Sequence, residues 1–534
     1  MIKKNAIILA AGKSNRLAPF TYEKPKGLFE VKGEILIERQ IQQLREAGVE
    51  DIFVVIGYMK EKFFYLEEKY GINFIINNTY GSKGNIMSLY FAKEHLNNTF
   101  VCCADHYFPE NPFIDNNENN ISYRLCSYKK EKFREFQVEF SDADVITDIK
   151  IGGSDGYAMV GQAYFNEKFS RAFMNFLEKE IDDFGVSSMF WEEFVSKHNN
   201  QLTLFSKVVD EESVLEFDSI DDLRQFDSDF LNNINSNIIT NIVKVLKCNP
   251  NDIVDINIIQ AGLTNVSFSF VVCGVKYVYR HPGGTSLNIV NRQAECYTQL
   301  KAKELGIDKS VIAIDEAGWK ISYFVEDIVP CDFEKYPWQL EKAMSYLRKI
   351  HEVKVDKEIK HFDLFSEAMR LIGLACATKG NLFVEFDDII SKVKILDGYI
   401  KQDMGKNGID YVLSHGDVYE PNFLATKDED FYLIDWEFAG INDPAHDICG
   451  ILTRYHYTDE QIEFYLKAYF GRELTPFEHR HFIGFMPIAS LYWMSWSFFK
   501  GSVGEDDGFF FLTAYRNCKR FLDRALKLYE DEYI

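Results

Sequence analysis

The chain has 534 residues, more than one hydrophobic core normally covers, so at least two domains are expected. A hydrophobic share of 46% and an aromatic share of 15% exclude disorder, and a net charge of −23 without a dense Lys/Arg tract argues against a nucleic-acid partner. The 10 cysteines lack paired CxxC spacing, which reads as thiols of a reducing cytoplasm rather than disulfides or zinc ligands.

Met1 to Lys4 carries two lysines before an apolar run that reaches Gly12 without a cleavage pattern. A first strand and a cytoplasmic location are expected. From Ala6 to about Phe226, short β-rich runs (AIILAA, DIFVVIGY, NFIINN, TFVCCAD) alternate with helical stretches at Leu36–Ala47 and Asn85–His95. This is the rhythm of βαβ units on a largely parallel sheet, and it predicts an α/β, Rossmann-like domain over residues 1–229. Gly48 follows the first helix as a C-cap.

Leu9, Ala10, Ala11 and Gly12 place small residues where a strand turns toward a helix, so backbone N–H groups can face a nucleotide's phosphates. Arg16 and Lys26 stand close behind as cations, and Asp105 lies just past TFVCCAD, where open α/β sheets present ligands. A solvated turn is the alternative for a lone Asp.

The combination LAAGKSNRL plus EKPKGL resembles the nucleotidyltransferases that activate sugar phosphates and phosphocholine, with Ser14 where many members have Gly. Through YGSKGNIMSLY (Tyr80–Tyr90), ADHYF, MFWEE (Met189–Glu193) and EFDSIDDL (Glu216–Leu223), most of the first domain is similar to bacterial CTP:phosphocholine cytidylyltransferases. The resemblance implies Asp105 and Asp218 as Mg²⁺ ligands, and Arg16 and Lys26 as holders of the CTP triphosphate. It also implies Asn85 and Ser88 on the substrate side, and Phe136 and Trp191 as cation–π partners of a quaternary ammonium beside Glu192. An N-cap is the alternative for Asp218. Core packing is the alternative for both rings, and the favoured one for Phe136, where the family more often has Trp.

The stretch Asp227–Thr240 (DSDFLNNINSNIIT) is polar and Asn-rich and is expected to connect to a second domain over residues 238–534. Phe268–Arg280 alternates as a strand pair around Gly274, Ile312–Phe324 forms another around Gly318, and helical patterns dominate from Trp338. A small β lobe followed by a larger helical lobe is predicted. Phe482–Phe499 approaches membrane-spanning length, yet Pro487, several serines, Trp493 and Trp496 favour a buried helix, so no integral membrane segment is expected.

Kinase chemistry needs a carboxylate to orient a hydroxyl, ligands for Mg²⁺ and a cation on the ATP phosphates. In SHGDVYEPNFLATKDEDFYLIDWEF (Ser414–Phe438), Asp417 can accept the hydroxyl's proton while Asn422 and Asp435 hold metal. This run resembles the choline/ethanolamine kinases and aminoglycoside phosphotransferases, a branch of the two-lobed protein-kinase-like fold. By that resemblance GLTNVSF, with Thr264 and Asn265, covers the phosphates, and Arg280 takes the place of the kinase strand lysine. Glu295 is its ion-pair partner, and Asp447 buttresses the catalytic loop. Trp493 and Trp496, three apart on a predicted helix, can share a face and box a trimethylammonium group, with Glu437 as a nearby anion. Two core tryptophans fit the same spacing.

Together the two resemblances imply a bifunctional enzyme that uses ATP, CTP and Mg²⁺ to convert choline to phosphocholine and then to CDP-choline. The alternatives are the same steps on ethanolamine or another amino alcohol or phosphonate, and a nucleotide-binding regulatory protein without turnover. The sequence leaves the oligomeric state open.

Overall fold

The computed structural model describes residues 2–114, 120–259, 265–283, 290–359, 361–379, 385–504 and 508–533. The chain divides into two units, Met1–Ile258 and Ile259–Ile534.

In the first unit the four runs expected as strands lie side by side and parallel. Asn5–Ala10 is flanked by Asp51–Ile56 and Thr99–Cys103, and Asn73–Ile76 pairs with Asp51–Ile56. Ile7 and Ile8 are both fully buried, so this strand is covered on two faces, which is why its sequence is continuously apolar rather than alternating. The helix Leu36–Glu46 packs Ile37, Ile41 and Leu44 into the core and stops before Gly48, whose φ is +78°.

The other half of the sheet is antiparallel except at its Phe205–Val208 edge, which pairs parallel to Tyr123–Lys129. Gly156–Phe165 pairs with Thr99–Cys103 and extends the sheet through Phe133–Phe140 to Ile146–Gly153, while Tyr123–Lys129 and Phe205–Val208 continue from Gly156–Phe165 separately. The sheet is therefore mixed, and the βαβ rhythm accounts for its parallel side alone.

The stretch expected as a connector is folded. It holds the helix Phe230–Asn233 and the start of Asn237–Leu246, with Phe230, Leu231 and Ile234 buried. Phe230 meets Phe20 and Phe29 at 5.9 and 6.0 Å, and the Asn237 N–H donates to Glu23 Oε1 at 2.9 Å. Apolar side chains spaced among the asparagines attach this segment to the first unit, and the division falls after Ile258 instead.

In the second unit both expected hairpins are present. Asn265–Val272 pairs with Val275–Pro282 across Gly274 (φ +79°), and Val311–Ile314 with Lys320–Tyr323 across Gly318 (φ +94°). Helices follow from Pro337–His351 onward. Pro476–Ser502 is long and apolar enough to cross a membrane, but 89% of its apolar window is buried, and it forms the spine against which Leu364–Lys379 and Gly508–Tyr533 pack.

Candidate functional site

At the C-terminal ends of the parallel strands the first unit opens a cleft of about 350 Å³, lined by Leu9–Gly12, Lys26, Asn85, Ser88, Asp105 and Glu216 among others. Ser14, on its rim, has φ +49° and ψ +47°, the left-handed conformation that glycine adopts without cost, which explains why glycine is common at this place in the resemblance. Lys26 is almost wholly buried, and its Nζ lies 2.9 Å from Asp105 Oδ2. Burial works against its charge, but Asp105, Glu216 and Asp218 outweigh burial and raise its pKa.

Arg16 Nη1 meets Asp218 Oδ1 at 2.6 Å, both residues being substantially exposed. Ser219, not Asp218, caps the following helix, its Oγ accepting from the Asp222 N–H at 3.1 Å. Glu216 is a cleft residue that the sequence reading missed. It pairs in register with His106, with Nε2 and Oε2 3.5 Å apart, and although burial opposes its charge, His106, Lys26 and Arg16 hold it well below the usual carboxylate range. Its place two residues before Asp218, at a strand end, was the available signal.

The aromatic expectations need correction. Trp191 is 1% exposed and sits in the core against Phe165 at 5.3 Å, with the Arg124 guanidinium 5.4 Å from its ring. Phe190, the residue before it, is half exposed, lines the cleft and meets Phe136 at 5.9 Å. The helix Trp191–Lys197 starts here, and the first-turn geometry turns adjacent rings to opposite sides. Asn85 fixes this arrangement, since its Oδ1 accepts from the Trp191 backbone N–H at 2.9 Å. Glu192 is likewise buried, 3.6 Å from Arg124, with Oε2 unpartnered among the described residues, and burial pushes its pKa up to about 7. It does not line the cleft.

In the second unit Asp417 follows a turn built on Gly416, whose φ is +83° and whose missing side chain lets the Phe438 carbonyl oxygen approach to 2.2 Å of where a Cβ would stand. Asp447 receives the His415 and Gly416 N–H groups at 2.8 and 2.7 Å, and His351 Nε2 lies 3.0 Å away, so Asp447 supports the loop as expected. Asn422 donates to the Asp417 carbonyl at 2.8 Å and to its Oδ2 at 3.2 Å, and the Asn422 carbonyl accepts from the Ile434 N–H at 2.9 Å. This places Asp435 (φ +66°) beside the pair. An amide oxygen and a carboxylate are hard donors that fit Mg²⁺, as do Asp105 and Asp218 in the first unit.

Arg280 is buried, ion-paired to Glu295, and 3.9 Å from Asp435 Oδ1. Arg292, unforeseen, shares Glu295 at 2.7 Å and donates to Asn265 Oδ1 at 2.9 Å. Thr264 lies outside the described residues. Glu437, expected near the tryptophans, accepts from Asn265 Nδ2 at 2.6 Å and so ties to the hairpin Asn265–Pro282. Trp493 and Trp496 are 6.0 Å apart at 72°, and beside them stands a cation that the sequence did not suggest. The Arg454 guanidinium lies 4.0 Å from the Trp493 ring, 4.4 Å from Tyr419 and 4.9 Å from Phe510, ion-paired to Asp417. Its position two helical turns beyond Asp447, on the same helix face, was the only sequence signal.

A MobA-like NTP transferase domain matches residues 6–121, and the phosphotransferase enzyme family matches residues 314–481. The chain is 33% identical over 222 residues to choline-phosphate cytidylyltransferase of Streptococcus pneumoniae, covering 42% of this chain and 96% of that protein. It is 37% identical over 242 residues to 2-aminoethylphosphonate cytidylyltransferase of Lancefieldella rimae, covering 43% and 94%. Among solved structures, choline kinase LicA of Streptococcus pneumoniae aligns at 21% identity and a TM-score of 0.43, covering 55% of this chain and 98% of that one. By these matches the chain belongs, in its first unit, to the MobA-like NTP transferase family and carries a phosphotransferase-family domain behind it.

Proposed function

We propose that the second unit phosphorylates an amino alcohol, choline, with ATP, and that the first unit transfers CMP from CTP to the phosphocholine formed. The observation that carries the acceptor class is the cation held among Trp493, Tyr419 and Phe510 beside Asp417, since an amino alcohol needs a cation site next to a carboxylate that meets its hydroxyl.

In the kinase step the choline oxygen attacks the γ-phosphorus, the bond to ADP breaks, and the hydroxyl proton passes to Asp417. Arg280, held by Glu295, and Asn265 face the phosphates. In the second step an anionic oxygen of phosphocholine attacks the α-phosphorus of CTP and pyrophosphate leaves, with Lys26 and Arg16 on the triphosphate. No side-chain nucleophile is required. Mg²⁺, held by Asn422 and Asp435 in one unit and by Asp105 and Asp218 in the other, would neutralise charge on the transferring and leaving phosphates.

A second reading, in which the first unit activates 2-aminoethylphosphonate, is favoured by the 37% identity to the Lancefieldella rimae enzyme. One incubation separates the two: the full chain with Mg²⁺, ATP, CTP and choline, ethanolamine or 2-aminoethylphosphonate, followed by product mass. CDP-choline that requires both nucleotides is the expected result. Preferred conversion of ethanolamine, or CMP transfer to the phosphonate with none to phosphocholine, would overturn the choline reading.

A further inference from the structure

Resting on the amino-alcohol reading, we infer that Arg454 is a built-in surrogate for the acceptor: it fills the cation cage and covers the catalytic carboxylate until the acceptor displaces it, and so sets both acceptor affinity and the suppression of ATP hydrolysis.

The geometry matches the acceptor's two demands with one side chain. Three rings surround the guanidinium at 4.0–4.9 Å, and its Nη2 pairs with Asp417 Oδ1, where the acceptor hydroxyl would bond. Both partners are largely buried, at 13% and 12% side-chain exposure, so little room remains for water at the carboxylate. The hold is incomplete, because Arg454 Nε is buried without a partner among the described residues. Arg454 is also the last residue of the helix Ala445–Arg454, and Tyr455 after it is extended, so the side chain can swing away without unwinding the helix.

The chemical need is plain. A kinase whose base faces an open pocket can activate water: a water oxygen attacks the γ-phosphorus, the bond to ADP breaks, and one water proton passes to Asp417, giving ADP and inorganic phosphate. Excluding water until the acceptor arrives avoids this loss. The cost is that the acceptor must compete with an internal cation, which lowers its apparent affinity by the fraction of molecules in which Arg454 is withdrawn.

The test measures acceptor-independent ADP release, and KM and kcat for choline, in the full chain carrying Arg454→Met or Arg454→Lys, with CMP transfer to added phosphocholine and a melting curve as folding controls. Arg454→Met is expected to raise acceptor-independent hydrolysis about tenfold, since the carboxylate then meets water. It should lower the KM for choline about fivefold. Arg454→Lys, which keeps the charge but loses the planar fork, is expected to fall between and remains informative if the Met variant does not fold. A wild type that phosphorylates choline beside variants with unchanged hydrolysis and unchanged or higher KM overturns the surrogate role alone. A folded chain that phosphorylates neither choline nor ethanolamine in any form overturns the amino-alcohol reading instead.

Discussion

Lys26 Nζ stands 2.9 Å from Asp105 Oδ2 in the first unit's cleft, with the lysine side chain 7% exposed and the carboxylate 24%. Among the described residues this joins a buried cation to the carboxylate at the end of a parallel strand.

Lys26→Met is expected to cut CMP transfer by roughly 10²–10³-fold, because a preorganised charge aimed at the developing phosphate negativity is lost. Pyrophosphate release with phosphocholine and CTP measures this. Phosphorylation of choline by the same preparation should persist.

Asp417→Asn keeps the loop's hydrogen bonds with Asn422 but removes the proton acceptor. Kinase turnover should fall by about 10²–10⁴-fold. Added phosphocholine should still yield CDP-choline at the wild-type rate, and loss of both steps would contradict independent units.

Glu192 carries a pH signature. Its pKa is raised from 4.5 to about 7 by burial, so the stability that the neutral carboxyl contributes is complete below about pH 4.5 and is lost as pH rises through 7. Glu192→Gln should therefore stabilise the first unit more at pH 8 than at pH 5, by on the order of 3 kcal/mol at most, as read from unfolding curves at the two pH values. An equal shift at both pH values would refute a buried, titrating Glu192.

Asp447 has the opposite sign. Although burial opposes its charge, His351 and its other partners lower its pKa from 3.8 to about 2, so its contribution, about 2 kcal/mol, is present above pH 4 and lost as pH falls toward 2. Asp447→Asn should flatten the acid limb of unfolding of the second unit between these values. Kinase activity should drop as well, because the His415 and Gly416 N–H groups lose a charged acceptor.

The parts of both sites that were legible in the sequence are those held by short-range geometry. Leu9–Gly12 sits at the end of one apolar strand, and Asp417 and Asn422 share a single loop whose Gly416 is forced by the Phe438 carbonyl. The other half of the sheet is less legible, because although Phe133–Phe140 and Ile146–Gly153 form a local hairpin, Gly156–Phe165 joins the sheet through Thr99–Cys103 and Tyr123–Lys129, partners distant in sequence that no local period names. The polar look of Asp227–Thr240 hid Phe230 and Ile234 for the same reason: a few apolar residues suffice once a surface to cover exists.

Sequence alone determined that this chain has a nucleotidyltransferase-like and a phosphotransferase-like unit, because strand-end and loop motifs are constrained by backbone geometry over a few residues. Tertiary structure decided which ring lines the first cleft and which charge faces Asp417. Phe190 rather than Trp191 lines the first cleft, Glu437 ties to Asn265, and Arg454 sits among Trp493, Tyr419 and Phe510 at Asp417. Each of these outcomes depends on how distant elements pack, and packing is set by the volume and charge of neighbours that are far apart in the chain.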